Sequence, residues 1–174
     1  MSIGARIKKV AKGLTAQKAA DAFVRARENP AEVSPAQRDK ADEFEATVEA
    51  MFLMAAVDGD LSPEELAQLA ASIDAFTSLD GKPREHIDTP KLLLAMNDKL
   101  GNEGWNKRLA AVAARLQDHE ARAFAFRLSA GVAFVDDHVA HAEAAALEAM
   151  ASALAISADE SQEILYDVRE ALFA

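Results

Sequence analysis

The sequence predicts an all-α protein, a compact helical bundle of about seven to eight helices. Ala, Leu and Glu are abundant, whereas the 174 residues include only seven Gly and five Pro, a composition that favours helices. Apolar residues recur at intervals of three and four, which is typical of amphipathic helices. No stretch keeps the strict alternation of a half-buried strand, so we expect no sheet.

Length and composition suit one compact domain, or one domain plus a short extension. We divide the chain into a basic amphipathic segment, residues 1–30, and a helical domain, residues 31–174. The absence of Cys excludes disulfides and thiolate zinc sites. No apolar run approaches the roughly 20 residues of a membrane span, and no secretory signal is recognisable. We therefore expect a cytoplasmic protein.

The N-terminal segment differs in charge from the rest of the chain. Residues 1–27 contain seven Lys and Arg residues and one Asp, a net charge of +6, so the remainder carries −16. Its apolar residues at helical spacing are Ile3, Ile7, Val10 and Leu14. The basic residues on its other faces include Arg6, Lys8, Lys9 and Lys12. Such a helix can lie on the anionic inner face of the cell membrane, or it can bind a partner. The alternatives are that its apolar residues pack on the core of this same protein, or that the segment is a mobile tail.

The acidic body excludes one class of partner. A net charge of −16 outside the first 27 residues repels the phosphate backbone, so we expect no DNA or RNA binding. Protein partners remain the expectation.

Proline and glycine divide the body into helices. Pro30 and Pro35 interrupt helix at the residues before them, and the stretch 78–90 contains Gly, Pro and Asp, which predicts a loop. The predicted helices cover 36–57, 63–76, 92 to about 101, 105–116, 119–135, 142–155 and 159–173.

The stretch "AAVDGDLSPEEL", residues 55–66, contains a complete set of signals for a turn between two helices. Gly59 can adopt a left-handed conformation after the first helix. Ser62 and Glu65 form a capping box around Pro63, which takes the first helical position. Leu61 is placed to enter the core. Two carboxylates, Asp58 and Asp60, are unexplained, and Asp58 lies near the negative end of a helix, where a carboxylate costs about 0.3–1 kcal/mol.

The turn recurs later in the chain. "MAAVDGDLSPEELAQLAAS" (54–72) aligns with "VAFVDDHVAHAEAAALEAM" (132–150) at an offset of 78 residues. The alignment pairs Asp58 with Asp136 and Glu65 with Glu143. We therefore predict two pseudo-repeated helix–turn–helix halves. An EF-hand is excluded, because its first and third ligand positions would be Met54 and Ala56.

These residues resemble the tellurite-resistance TerB-like family over roughly residues 36–170. The motif is an A-x-x-D-G-x-x-S-x-E-E turn followed, in the second half, by an apolar helix, an Asp and a Glu seven residues later. The resemblance implies a helical fold of two similar halves in a bacterial stress response, with complexes near the inner membrane. It also implies a cluster of acids that binds a divalent cation; by position these are Asp58, Glu65, Asp136 and Glu143. The second turn departs from the pattern at Asp137 and Ala140.

Two kinds of metal site are compatible with these residues. A carboxylate site shared by both turns, including Asp60 and Asp137, would favour calcium or magnesium over zinc or manganese. The run "DDHVAHAE" adds His138 and His141, whose nitrogens suit a transition metal. The alternative is that these acids only cap helices and solvate the surface.

The sequence favours a non-catalytic module. It contains no glycine-rich phosphate loop and no recognisable nucleophile with its base, so we expect no enzyme. Our interpretation is a cation-binding module, and the alternative is a metal-free scaffold for protein interaction, brought to the membrane by its basic N-terminal helix.

Overall fold

The computed structural model describes residues 31, 34–59, 61–77, 88–134 and 141–173. Over these residues the chain forms seven α-helices and no strand, which confirms the predicted all-α class. The helices are α1 (Pro35–Ala55), α2 (Pro63–Thr77), α3 (Thr89–Glu103), α4 (Trp105–Arg115), α5 (His119–Phe134), α6 (His141–Ala153) and α7 (Ala158–Phe173). The predicted N-terminal helix, with Arg6, Lys8, Lys9 and Lys12, lies outside the described residues.

Most helix ends fall within two residues of the prediction, and α3 is the exception. It begins at Thr89, inside the stretch that we expected to be a loop. Pro90 is tolerated in the first turn because the backbone there needs no N–H donor. Asp88 caps the helix, since its carboxylate accepts a hydrogen bond from the Lys91 amide at 3.1 Å. The proline that suggested a loop is therefore a helix-start residue.

Helix α1 is the centre of the fold. Its residues 46–54 are buried without exception, including Glu49 and Thr47, so the second half of this helix is enclosed on every side. The helix packs most extensively against α5 and next against α4, and α5 in turn packs against α7. A helix surrounded in this way is apolar on all faces, as in "AMFLM", residues 50–54.

Contacts between side chains give the directions of these helices. Helices α1 and α4 are antiparallel, because the Trp105 indole donates to the Leu53 carbonyl at 2.8 Å while Arg115 lies 3.3 Å from Glu45. Helices α5 and α7 are parallel, because contacts join their first turns and also their later turns. His119 Nε2 lies 2.7 Å from the Glu160 carboxylate, and Arg127 forms an ion pair with Asp167 at 3.8 Å.

One arginine joins the ends of two helices. The Arg122 guanidinium on α5 donates to the carbonyls of Ala113 and Leu116 at the end of α4, at 3.2 and 2.6 Å, and to Leu154 after α6 at 3.5 Å. Carbonyls at helix C-termini have no partner within their own helix, and a cation also suits the negative end of the helix dipole. Arg122 therefore fixes α4 and α6 against α5.

None of the helices in the described part of the chain is both long and apolar enough to cross a membrane.

Candidate functional site

The first acidic turn has the conformation that its sequence predicts. Gly59 has φ 124°, and its amide donates to the Ala56 carbonyl at 3.0 Å. The Glu65 amide donates to the Ser62 hydroxyl at 3.2 Å, and the Ser62 amide donates to the Glu65 carboxylate at 3.3 Å. These reciprocal bonds are the predicted capping box. The positive φ at Gly59 is a conformation that other residues adopt only with strain.

The side chains of this turn divide into one that enters the core and others that face solvent. Leu61 is 8% exposed and joins the core, as predicted. Asp58 and Glu65 are exposed. Asp60 lies outside the described residues. The turn therefore holds its first and last carboxylates at the surface while Leu61 anchors it from below.

Only part of the second turn is described. Asp136, Asp137 and His138 lie outside the described residues, and so does the side chain of His141, whose backbone begins α6. Glu143 is half-buried in the first turn of α6. This position in α6 corresponds to that of Glu65 in α2, since both carboxylates lie in the first turn of the helix that follows an acidic turn.

A groove of about 210 Å³ is lined by residues that flank both turns, and we call it the turn groove. Both Glu65 and Glu143 line it. Its other lining residues are Met54, Ala55, Leu61, Gln68, Leu69, Ser72, Val132 and Ala133. The groove thus combines an apolar floor with carboxylates from α2 and α6. Of the predicted site residues, it joins one from each turn.

Carboxylate oxygens are the donors that calcium and magnesium prefer. One Glu65 oxygen already accepts the Ser62 amide hydrogen bond, an interaction that fixes the carboxylate at the start of α2. Within the described ranges, no three His, Asp or Glu side chains come close enough to hold a metal ion. Among the described residues, the turn groove therefore brings together two acidic side chains, Glu65 and Glu143.

The sequence interpretation missed a buried ionic cluster between α1 and α4. Arg108 donates two hydrogen bonds of 2.7 Å to the Glu49 carboxylate, and both side chains are buried. Glu103 contacts the same guanidinium at 3.1 Å. The hydrogen bonds to Glu49 raise the pKa of Arg108 above its usual value, an effect that burial opposes. The cluster lies inside the helix packing, where it orients α4 on α1.

Comparison of the chain with known protein families, with curated proteins and with solved structures gives no match.

Proposed function

We propose that this protein is a non-catalytic module that binds a divalent cation, calcium or magnesium in preference to zinc or manganese, through its two acidic turns. One observation carries the proposal. Glu65 and Glu143, which are separated by 78 residues in the chain, line the same groove. The other ligands on this proposal come from the remaining turn acids, which are Asp58, Asp60, Asp136 and Asp137, with His138 and His141 as additional ligands.

An internal repeat supports the pairing of the turns. Three pairs of lining residues in the turn groove are separated by the repeat offset of 78. These pairs are Met54 with Val132, Ala55 with Ala133, and Glu65 with Glu143. At the other end of the same helices, the pKa of Lys40 is raised chiefly by its hydrogen bond to Glu43, and Asp118, again 78 residues away, adds to the effect. On this proposal α1 and α5 are equivalent helices of two pseudo-repeated halves, running parallel and in register.

The turn motif supports a cellular role for the proposed cation-binding module. Its resemblance to the tellurite-resistance TerB-like family supports a role in a bacterial stress response, in the cytoplasm or at the inner face of the membrane, with protein partners. The −10 net charge of the chain supports partners other than nucleic acid.

Thermal unfolding tests the cation directly. Protein stripped of metal with a chelator is melted alone and with calcium, magnesium, manganese or zinc. A cation at 100 times its Kd stabilises the folded state by about 2.7 kcal/mol, which raises the Tm of a chain of this size by roughly 5–10 °C. We expect the increase with calcium or magnesium, and none after Asp58→Asn combined with Asp136→Asn.

A matched pair of variants distinguishes the proposed role of Glu65 as a metal ligand from its role in capping α2. Glu65→Gln keeps the capping box, because Gln also serves at that position, yet it removes the charge from the groove. Glu64→Gln is the control, since Glu64 is exposed and does not line the groove. We expect Glu65→Gln to reduce the metal-dependent increase in Tm and Glu64→Gln to leave it unchanged. Equal responses of the two variants contradict a site in the turn groove.

A metal-free interaction scaffold is the second candidate, and the groove floor favours it. Val132 is partly exposed there, above the buried side chains of Met54 and Leu61. Such an apolar floor suits a side chain of a protein partner better than a hydrated cation. On this alternative no metal changes the Tm, and deletion of residues 1–27 releases the protein from anionic vesicles. Turnover of a substrate that depends on the same acids would contradict both candidates.

A further inference from the structure

A second groove, which we call the acidic groove, lies between α5 and α7 and has a volume of about 370 Å³. Its apolar lining residues are Ala123, Phe124 and Ile164, and its charged ones are Glu120, Arg127, Glu160, Glu163 and Asp167. It continues into a hollow on α7, because Glu163 and Asp167 line both. The hollow adds Asp159, Gln162 and Tyr166. The two together form one elongated surface.

This surface combines strong negative charge with exposed apolar area. Its carboxylates outnumber its cations, and Glu120, Asp159 and Glu163 form no ion pair with any residue that the structure describes. Tyr166 is 66% exposed and adds an aromatic side chain to the hollow. Charged rims around an apolar contact favour an amphipathic helix of the opposite charge.

Helix α1 begins close to this surface. Lys40 lies in the second turn of α1, and its pKa is raised chiefly by the hydrogen bond to Glu43, with Asp118 and Glu120 adding to the effect. Asp42, also near the start of α1, lies 3.7 Å from Arg115 at the end of α4, which leads directly into α5. The start of α1 is therefore near the start of α5, where Glu120 lines the acidic groove. The turn groove is at the other end of α1, about 30 Å away at 1.5 Å per residue.

We propose that residues 1–27 of this chain dock along the acidic groove. Their net charge of +6 complements the carboxylates of α5 and α7. As a helix, the apolar positions from Ile3 to Leu14 would extend about 16 Å, comparable with the roughly 12 Å from His119 to Arg127. The connecting residues 28–33 can extend about 20 Å, enough to cross the width of a helix.

This inference goes beyond the cation site, because it assigns a role to a different groove. The docked segment would shield the acidic groove and, at the same time, occupy the basic residues that an anionic membrane would otherwise attract.

Disulfide cross-linking in the full chain tests the docking, because the chain contains no Cys that could compete. The test variant combines Ala11→Cys, on the apolar side of the N-terminal segment, with Gln162→Cys in the hollow on α7. The control combines Ala11→Cys with Gln68→Cys in the turn groove, so both variants replace one Ala and one exposed Gln. We expect an intramolecular disulfide to form about tenfold faster in the test variant, since docking raises the effective concentration of the two thiols.

Charge provides the second control. Replacement of Arg6, Lys8, Lys9 and Lys12 by Gln in the test variant should reduce its rate to that of the control, as should 1 M NaCl, where the Debye length is about 3 Å. Equal rates in the two unmodified Cys pairs overturn the proposal. Disulfides only between chains overturn it in favour of a second copy. Binding of residues 1–27 to anionic vesicles, with no disulfide in their absence, overturns it in favour of membrane contact.

Discussion

The α1–α4 and α5–α7 interfaces both contain ion pairs between neighbouring helices, but at different depths. In the first, the side chains of Arg108 and Glu49 are 9% and 1% exposed and meet at 2.7 Å. In the second, Arg127 and Asp167 are 33% and 60% exposed and are 3.8 Å apart. Water screens the second pair and hardly reaches the first. The same kind of ion pair therefore holds α1 against α4 inside the protein, whereas between α5 and α7 it leaves charged groups on the surface.

A substitution series from Arg to Met sharpens this contrast, because Met keeps an unbranched chain and removes the charge. The largest effect is expected for Arg108→Met. It leaves the Glu49 carboxylate buried without its bidentate partner, and such losses typically cost about 3–5 kcal/mol. Urea unfolding followed by circular dichroism measures the change in the free energy of unfolding.

The double variant Glu49→Leu with Arg108→Met is the control for Arg108→Met. With both charges gone, no buried carboxylate is left without a partner, since Glu103 is 33% exposed and water can solvate it. Replacement of a buried pair by apolar residues is often neutral. We expect the double variant to be more stable than Arg108→Met alone. A double variant that is less stable than the single one contradicts the assignment of Glu49 as the main partner of Arg108.

The sequence predicts the helix ends well because the signals for them are local. Gly59, Ser62 and Pro63 each act within a few residues of their own position, and the structure places them as expected. The end of α6 shows the limit of such signals. It closes with Ala155 at φ 56°, a position at which glycine is usual, while the Ile156 amide donates to the Ala151 carbonyl at 2.9 Å. Packing and the Arg122 bond to Leu154 hold that turn, and neither is visible in the local sequence.

The buried cluster around Arg108 could not be predicted either, because it depends on contacts between residues that are far apart in the sequence. Glu49 and Arg108 are 59 residues apart, and a charged residue on a helix ordinarily faces water. One signal was available: Glu49 lies within an otherwise apolar run of α1, residues 48–54, where burial of an unpaired charge would be expensive. The pairing of Glu65 with Glu143 could be predicted as a hypothesis because the repeat relates them. The shared groove places these two carboxylates on one surface.

Arg115→Met should have an intermediate effect. Its side chain is 25% exposed and lies 3.3 Å from Glu45, 3.7 Å from Asp42 and 3.9 Å from Glu49. Partial exposure weakens each ion pair, but the substitution removes several pairs at once. We therefore expect the free energy of unfolding to fall by about 1–2 kcal/mol. The same urea titration measures it. A loss as large as that of Arg108→Met would contradict burial as the determining difference.

Arg127→Met should have the smallest effect of the series, about 0.5 kcal/mol or less, because exposed ion pairs contribute little. The salt dependence of the stability loss distinguishes the exposed pair from the buried pair more sharply than the size of the loss does. Raising NaCl from 0.1 to 1 M shortens the Debye length from about 10 to about 3 Å. The difference between wild type and Arg127→Met should then disappear, while that for Arg108→Met should persist, since bulk ions do not reach a buried pair. A salt-insensitive loss at Arg127 would contradict screening of this pair by solvent, and the contrast between the two interfaces would then be one of geometry.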